Sequence, residues 1–389
     1  MNVSIESRTV AFYEFFAGGG MARAGLGPQW RCLFANDFDH KKCAIYRRNW
    51  RDDVMRAQDI REVRSADLPG RADLAWASFP CQDLSLAGVG AGLKGDRSGT
   101  FWPFWSLMTE LVREDRAPRM VVLENVCGAL TSHQGKDFAA ICNAMRKAGY
   151  RYGALVMDAA LFVPQSRPRL FAVAVREDES PPAGLAAGAP GDPWHTRAVR
   201  TAHANLSQAA KKHWVWWAPP APPARAAVLA DLIEEAPTGI EWHTPAETQC
   251  LLAMMSDVNR AKVEEAKKAG RRVIGTVYKR TRRDPYGRRQ QRAEARFDDI
   301  AGCLRTPAGG SSRQTIMVVE GSAVKTRLLS AREAARLMGL PDGYILPEKY
   351  NEAYHLAGDG VAVPVVRHLA ANLLEPILLS KPGTGVEAA

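Results

Sequence analysis

Short apolar runs alternate with amphipathic stretches from the N-terminus to about residue 180. Apolar runs of four to eight residues predict strands, whereas apolar positions three and four apart predict helices. The predicted strands are Val10–Phe16, Cys32–Ala35, Leu74–Ser78, Met120–Leu123, Ala154–Met157 and Leu170–Val175. The predicted helices are Lys41–Asn49, Trp102–Arg113 and Asp137–Ala148. This alternation is typical of a doubly wound α/β domain.

Length and composition indicate a globular protein with two domains. The chain has 389 residues, 46% of them hydrophobic, which is enough for more than one core. No apolar run approaches the roughly 20 residues of a membrane span, and the N-terminus lacks a secretion-signal pattern. We therefore expect a cytoplasmic protein with no membrane partner. The seven cysteines are scattered without a Cys-x-x-Cys pair, which argues against disulfides and against a metal site.

The excess positive charge is concentrated in one window. The formal net charge is +10, and residues 271–292 contain nine Lys or Arg against the single acid Asp284. Two segments rich in Pro and Ala, 181–193 and 218–223, interrupt the regular pattern before this window and mark a boundary or exposed connections. A clustered charge of this kind favours a polyanionic partner over a solvated face.

Polar and glycine residues follow the first predicted strands. The first strand runs into Phe16-Ala17-Gly18-Gly19-Gly20, a turn at which backbone amides can approach a nucleotide-like ligand. A simple tight turn is the alternative, and the dinucleotide fingerprint is incomplete because Arg23 occupies its last glycine position. Asp37 can bind ribose hydroxyls and Phe38 can stack on an adenine, while Asp59 with Ile60 can contact the adenine edge. Each acid taken alone is more often a solvated or capping residue, and it is the order of the three features that favours a ligand site.

Three later segments carry residues suited to covalent chemistry. Cys81 follows a strand and a proline, so it is a candidate nucleophile, although a lone cysteine is more often a buried apolar residue. Glu124 ends the next strand, where it is either a capping residue or a proton donor. Arg167 and Arg169 are two residues apart, which in an extended segment places both side chains on one side.

The order of these segments resembles the S-adenosylmethionine-dependent C5-cytosine DNA methyltransferases. The matching motifs are Phe-x-Gly-x-Gly at 16–20, Asn-Asp at 36–37, Pro-Cys-Gln at 80–82, Glu-Asn-Val at 124–126 and Gln-x-Arg-x-Arg at 165–169. The similarity thins in the middle of the chain and resumes at 327–342 and 358–364. Ser330 and Glu333 also have the spacing of a helix capping box. The motifs together are far more specific than any one of them.

The resemblance implies a Rossmann-like methyltransferase domain with a smaller DNA target-recognition domain inserted in it. Residues 1–180 would form the catalytic domain, completed by 345–389, with 181–326 as the recognition domain and 327–344 as a connecting helix. The apolar run Val361–Leu379 would pack against the first domain, and Asp359 would stand at the N-terminus of that helix. The Trp214–Trp217 cluster is expected in the core of the smaller domain.

The resemblance also implies roles for individual residues. Cys81 would be the nucleophile, Glu124 would hold cytosine N3 and N4, and Arg167 would steady the base and Glu124. S-adenosyl-L-methionine would be bound by Phe16, Gly18, Gly20, Asp37, Phe38, Asp59, Ile60, Pro80, Asp359 and Gly360. DNA would be bound by Phe79, Gln82, Ser85, Arg97 and Arg169. In the middle of the chain, where the resemblance thins, the clustered charge makes five arginines candidates for DNA binding: Arg280, Arg282, Arg283, Arg288 and Arg289. Gly309 and Gly310 lie in a loop that we expect to return towards the DNA.

Two positions depart from the family pattern. Ser98 precedes Gly99-Thr100 where the family usually has Arg, and Arg97 lies one residue earlier. Asp359 replaces the usual Asn, and an ionised aspartate cannot donate a side-chain hydrogen bond. Its contact with the methionine end of the cofactor must therefore differ.

We expect double-stranded DNA as the substrate, a monomer, no metal, and a cognate restriction endonuclease as a further partner. A tRNA cytosine methyltransferase of the same family shares the catalytic motifs, but the basic insert favours duplex DNA. A non-catalytic DNA-binding protein would have lost the nucleophile or the acid, and both are present. A nicotinamide-dependent dehydrogenase would not explain Cys81, Glu124 and Arg167 together.

Overall fold

A computed structural model describes residues 9–51, 53–80, 98–283, 287–305 and 313–380 of the chain. The chain divides into two compact units. The first unit comprises the described parts of 1–157, 168–221 and 365–389. The second unit comprises the described parts of 158–167 and 222–364.

The first unit is built on a seven-stranded sheet in the order β3-β2-β1-β4-β5-β7-β6. Its strands are β1 (Val10–Phe15), β2 (Trp30–Asp37), β3 (Met55–Ala57), β4 (Leu74–Ala77), β5 (Met120–Val126), β6 (Tyr150–Asp158) and β7 (Pro168–Arg176). Strands β1 to β5 pair in parallel, whereas β7 runs antiparallel to β5. The predicted α/β architecture and the six predicted strands are confirmed.

The helices of the first unit cover this sheet, and two short strands accompany them. They are α1 (Met21–Leu26), α2 (His40–Trp50), α3 (Phe101–Arg113), α4 (Lys136–Lys147), then β8 (Ala186–Ala187), α5 (Arg197–Ala204), α6 (Gln208–Lys211) and β9 (Trp216–Trp217). Every residue of β1 and β4 is buried, as expected for parallel strands covered on both faces. The apolar face of α3 packs into the same core through Phe101, Phe104 and Met108.

The second unit contains an antiparallel four-stranded sheet in the order β11-β10-β12-β13. Its strands are β10 (Val273–Arg283), β11 (Arg289–Arg296), β12 (Thr315–Glu320) and β13 (Ala323–Leu328). Its helices are α7 (Leu229–Leu232), α8 (Pro245–Ala253), α9 (Asp257–Lys268), α10 (Ala331–Leu337) and α11 (Tyr350–Asp359). Helix α10 begins with the predicted capping box, in which Ser330 and Glu333 exchange hydrogen bonds.

The C-terminal apolar run is helical, as predicted, but it is not one uniform helix. It consists of α12 (Val363–Leu369), a π-helical turn Ala370–Leu374 and α13 (Glu375–Leu379). Pro376 lacks the N–H that would bond to residue 372, which explains the wider turn. The helical stretch Tyr350–Leu379 is long and apolar enough to cross a membrane, but 56% of its most apolar window is buried within the protein, as in core helices.

Hydrogen bonds hold the end of this run in the first unit. The indole N–H of Trp30 donates to Glu375 over 2.8 Å, and Arg119 donates to the Leu378 carbonyl over 2.9 Å. Arg367 donates to the Leu26 carbonyl and also pairs with Glu375. The described residues of 365–380 are therefore part of the same compact unit as the N-terminal strands.

Two domain boundaries differ from those expected from the sequence. Residues 181–221 lie in the first unit because the tryptophan cluster packs against the first sheet. Trp217 is fully buried and donates its indole N–H to Val173, and Gly153 fits so closely that an added Cβ would lie 1.9 Å from the Val215 carbonyl. The tryptophans are thus core residues, as expected, but of the first unit. Residues 345–364 belong to the second unit.

Candidate active site

The glycine turn after β1 has backbone conformations that residues with a Cβ atom rarely adopt. Gly18 and Gly20 have φ of +54° and +80°, and Phe16 adopts the left-handed region at +56°. An added Cβ at Gly20 would lie 2.3 Å from the indole nitrogen of Trp50, whereas one at Gly18 would meet no described atom within 4 Å. The turn is therefore packed on one side and open at Gly18.

Asp37, the last residue of β2, is hydrogen-bonded to this turn. Its carboxylate accepts hydrogen bonds from the backbone N–H groups of Gly18 and Asp39, over 2.8 and 2.9 Å. Burial raises the pKa of Asp37. The neighbouring Phe38 is 67% exposed, an unusual position for a phenylalanine. A carboxylate beside an open glycine turn and an exposed aromatic ring together fit the ribose and adenine of a nucleoside ligand.

The expected adenine-edge residues follow β3. Asp59 caps the short 3₁₀ turn Ile60–Glu62, and its carboxylate pairs with the guanidinium of Arg61 at 2.6 Å. The hydrogen bond from Arg61 lowers the pKa of Asp59. Ile60 is buried, so its backbone is held by core packing. A ligand that binds the Asp59 carboxylate would compete with Arg61.

Glu124 lies at the end of β5 and is paired with Arg169. The guanidinium Nε of Arg169 is 3.4 Å from Oε1 of Glu124, and their side chains are 15% and 9% exposed. The register of β5 and β7 explains the pairing, because Arg169 lies opposite Val126, two residues from Glu124 on the same face. Asn125 donates to the Phe79 carbonyl over 3.0 Å and so fixes the segment leading to Pro80.

Arg167 occupies a different position from the one predicted. Its guanidinium is buried and donates to the carbonyls of Leu304, Gly358 and Gly360, over 2.9, 2.8 and 2.6 Å. It lies before the start of β7, in the segment 158–167 that belongs to the second unit. The expectation that Arg167 is the cation beside Glu124 is therefore corrected in favour of Arg169, and the two arginines bind different partners.

Asp359 also lies elsewhere than predicted. It is the last residue of α11 and is exposed, whereas the following helix begins at Val363. The Gly360 carbonyl accepts a hydrogen bond from Arg167, so this junction is held by that buried guanidinium. The expectation that the Asp359 carboxylate caps the N-terminus of the next helix is wrong, because three residues separate it from Val363. Its contribution to cofactor binding stays a prediction.

Several candidate residues lie outside the described residues. They are Cys81, Gln82, Ser85 and Arg97, which fall within 81–97, and Gly309 and Gly310, which fall within 306–312. Phe79 is buried, and Pro80 is the last described residue before Cys81. Within the described ranges, no group of three or more His, Cys, Asp or Glu is placed to hold a metal ion.

The basic window forms a hairpin in the second unit. Arg280, Arg282 and Arg283 lie on β10, and Arg289 begins β11 directly after Arg288. All five are exposed. The charge is therefore gathered on one pair of strands.

One buried cluster beneath the glycine turn was not recognised in the sequence. Glu14 is 1% exposed and accepts hydrogen bonds from the Tyr46 hydroxyl and the Arg23 N–H, over 3.1 and 3.3 Å. Burial raises the pKa of Glu14 to about 7. The guanidinium of Arg23 also stacks over the ring of Trp50 at 4.7 Å. A charged residue within the first strand was the available signal, because a buried strand seldom carries one without a partner.

The sheet with its reversed seventh strand, the open glycine turn and the Glu124–Arg169 pair define a Rossmann-like methyltransferase. The chain belongs to the C-5 cytosine-specific DNA methylase family, whose model matches residues 10–375. It is accordingly an enzyme of the cytosine-C5 DNA methyltransferase class, and the family implies a methyl donor.

Named relatives agree with this assignment, and a solved structure shares the fold. The type II methyltransferase M.BanI of Aneurinibacillus aneurinilyticus is 30% identical over 43% of this chain and 38% of its own length. M1.ScrFI of Lactococcus lactis subsp. cremoris is 24% identical over 97% of this chain and 82% of its own. The Dnmt2 methyltransferase of S. pombe has the same fold, with a TM-score of 0.55 and 17% identity over 94% of this chain and 99% of that one.

Proposed function

We propose that this protein transfers a methyl group from S-adenosyl-L-methionine to C5 of a cytosine rotated out of a specific duplex DNA sequence. The observation that carries the proposal is the convergence of the candidate residues at one edge of the first sheet. Strands β2, β1, β4 and β5 are adjacent and parallel. Asp37 and Glu124 lie at the carboxyl ends of β2 and β5, and the glycine turn and the Phe79-Pro80 segment follow β1 and β4 at the same edge. Ligands of open α/β sheets bind there.

The first chemical step needs a nucleophile, because C5 of cytosine is itself unreactive. The Cys81 thiolate would add to C6, which forms a C6–S bond and moves electron density through the ring to C5 and N3. Glu124 would hydrogen-bond or protonate N3, and Arg169 would hold that carboxyl group in place. After methylation a base removes the C5 proton, the ring double bond re-forms and the thiolate leaves.

The residues around the glycine turn fit the proposed methyl donor. Bound there, S-adenosylmethionine supplies an electrophilic methyl group on its sulfonium. The open space at Gly18 would admit the methionine part, Asp37 would accept from the ribose hydroxyls, and Phe38 would cover the adenine. Asp59 and Ile60 would bind the adenine edge.

The two compact units differ in the residues that they carry, so we assign them different roles. We propose that the first unit is catalytic and that the second, which carries the basic hairpin, recognises the target. A stacked base hides both ring faces, so the cytosine must leave the helix before Cys81 can reach C6. Because the named relatives are type II methyltransferases, we propose a monomer that protects a site cut by a cognate endonuclease.

The test is methylation of DNA in cells that express the protein, read by bisulfite sequencing, with Cys81→Ser as the variant. The variant should bind S-adenosylmethionine but transfer no methyl group, because a hydroxyl without an adjacent base is a far weaker nucleophile. Cys250→Ser is the matched control, because Cys250 is an exposed thiol on α8 and should be dispensable.

A duplex with 5-fluorocytosine at the target should trap the wild-type protein as an SDS-stable adduct, since fluorine cannot leave as a proton does. Methyl transfer by Cys81→Ser near the wild-type rate would exclude the covalent mechanism. Methylation of folded RNA in preference to any duplex would exclude DNA as the substrate.

A further inference from the structure

The basic hairpin extends beyond the sheet that carries it. Among the described residues, strand β12 pairs with β10 only along 273–277, whereas β11 pairs with β10 as far as Arg283 and Arg289. The segments 278–283 and 289–294 therefore form a two-stranded ribbon. The major groove of B-form DNA admits a ribbon of this kind, whereas the major groove of an RNA helix is too narrow for side chains to read.

The strand register separates the ribbon side chains into two faces. Even-numbered positions form one face, with the pairs Tyr278/Glu294, Arg280/Arg292 and Arg282/Gln290. Odd-numbered positions form the other, with the pairs Lys279/Ala293, Thr281/Gln291 and Arg283/Arg289. At the base of the ribbon the odd face is core, because Val277, Ala293 and Ala295 pack with residues of α8 and α9. The even face of the ribbon thus carries polar and charged side chains, whereas the odd face becomes apolar at its base.

On the even face, one carboxylate orders two arginines. Glu294 accepts from Nε and Nη2 of Arg282 over 2.9 and 2.5 Å, and its second oxygen lies 3.5 Å from Nε of Arg280. Arg280 also lies over the ring of Tyr278, with its guanidinium carbon 4.6 Å from the ring centroid. Both arginine side chains remain 49% exposed, whereas that of Glu294 is only 21% exposed. The long side chains are therefore held in place without being buried.

This arrangement leaves Arg282 equipped to recognise a base. A guanidinium has five N–H donors, and the contact with Glu294 uses Nε–H and one N–H of Nη2. The three other donors have no partner among the described residues, and two of them, one on Nη1 and one on Nη2, lie parallel on the adjacent edge of the guanidinium. Two parallel N–H groups on that edge match O6 and N7 of guanine, the most frequent specific contact of arginine in the major groove.

We propose that the even face of the ribbon reads bases, with Arg282 recognising a guanine of the target, and that Glu294 determines specificity by positioning Arg282. This inference rests on the proposed function and names the face and the residue that select the site. The odd face, with Arg283 and Arg289, contacts phosphates and contributes affinity without sequence preference.

The Glu294→Ala substitution should separate overall DNA affinity from sequence discrimination. Removing an acid from a basic ribbon should maintain or strengthen overall DNA binding, because fewer negative charges face the phosphates. If Glu294 positions Arg282, the same change should weaken discrimination at one guanine by about ten-fold or more. A role in charge alone would leave the selected sequence unchanged.

The experiment is selection of bound duplexes from a randomised library by the full-length protein in the presence of S-adenosylhomocysteine, followed by sequencing. Arg282→Ala and Glu294→Ala should lose preference at the same guanine, by roughly ten- to a hundred-fold. Arg283→Ala is the matched control, an exposed neighbour on the odd face. It should keep the selected sequence but reduce the salt dependence of binding by about one unit of slope.

Thermal unfolding checks that the variants are folded, and only small shifts are expected because exposed ion pairs contribute little to stability. An unchanged sequence preference in Glu294→Ala, or a changed one in Arg283→Ala, overturns the proposal. Either result would leave the proposed function intact if the wild-type protein methylates duplex DNA. Wild-type protein that selects no duplex and methylates none would refute the function as well.

Discussion

Alanine substitutions at Gly18 and Gly20 should separate cofactor binding from folding. Both glycines have positive φ, so an alanine at either position costs about 1–2 kcal/mol for the left-handed backbone. At Gly20 the new Cβ would also lie 2.3 Å from the Trp50 indole nitrogen and 2.8 Å from the Tyr46 ring. At Gly18 no described atom lies within 4 Å of the new Cβ.

The neighbours of Gly20 cannot easily move away. The Tyr46 hydroxyl donates to buried Glu14, and the Trp50 ring is covered by Arg23. Overpacking at a site of this kind typically adds about 1–3 kcal/mol. Gly20→Ala should therefore destabilise the protein by about 2–5 kcal/mol, and Gly18→Ala by about 1–2 kcal/mol.

The loss of affinity for S-adenosylmethionine should not follow the loss of stability in these two variants. If the methionine part of the cofactor lies against Gly18, a methyl group there should weaken binding by about ten-fold or more, equivalent to about 1.4 kcal/mol. Urea unfolding without ligand measures stability, and calorimetric titration measures affinity. Gly149→Ala is the control for backbone strain, because Gly149 has φ of +78° in a turn after α4 with no described atom near its Cβ position.

Two results would refute this reasoning. Equal stability of the Gly18→Ala and Gly20→Ala proteins would show that the contacts of Gly20 with Trp50 and Tyr46 are not restrictive. Wild-type affinity in Gly18→Ala, measured on a folded protein, would show that the open space at Gly18 is not occupied by the cofactor.

Two further predictions concern the buried carboxyl group of Glu14 and the side chains of Arg169 and Arg167. Burial raises the pKa of Glu14 to about 7, so the free energy of unfolding should fall by up to ~3 kcal/mol as pH rises from about 4.5 through 7. Urea unfolding at pH 5 and 8 measures this dependence, and Glu14→Gln should remove most of it. Arg169→Ala should reduce the rate of single-turnover methyl transfer about 10²-fold with unchanged cofactor affinity. Arg167→Ala should mainly lower the free energy of unfolding, by about 2–4 kcal/mol, because three backbone carbonyls lose their donor. A flat pH profile in the first case, or comparable activity of the two arginine variants in the second, would contradict these assignments.

The architecture of the first unit was predictable from the sequence because its strands are buried on both faces. Continuous apolar runs and amphipathic helices in alternation leave few arrangements other than a mostly parallel sheet. The capping box at Ser330 was equally clear, since both of its hydrogen bonds are local in sequence. Boundaries were less predictable, because the contact of Trp217 with Val173 joins residues that are 44 positions apart.

The error with Arg167 shows where local patterns reach their limit. In the pattern Gln-x-Arg-x-Arg, charge and spacing make either arginine a suitable partner for a carboxylate. Which arginine pairs with Glu124 depends on the start of β7 at Pro168 and on the strand register, which places Arg169 opposite Val126. Arg167 instead donates to the carbonyls of Leu304, Gly358 and Gly360. These residues lie far along the chain, so no local pattern could predict that they meet at Arg167.

A comparison of two buried ion pairs supports the functional reading of Glu124 and Arg169. Glu333 accepts four hydrogen bonds, two from Arg327 at 2.8 and 2.6 Å and two from backbone N–H groups at 2.7 Å. A buried pair satisfied in this way is structural, because its many partners compensate for the loss of water.

The Glu124–Arg169 contact is looser, with Nε and Oε1 3.4 Å apart, beyond the usual length of a charged hydrogen bond. Desolvation offsets much of the attraction within such a pair, so stability is a weak reason for placing it at the end of β5. Contacts that act in catalysis are often long without substrate and shorten when the substrate binds. A cytosine whose N3 and N4 engage Glu124 would draw the carboxylate and the guanidinium together.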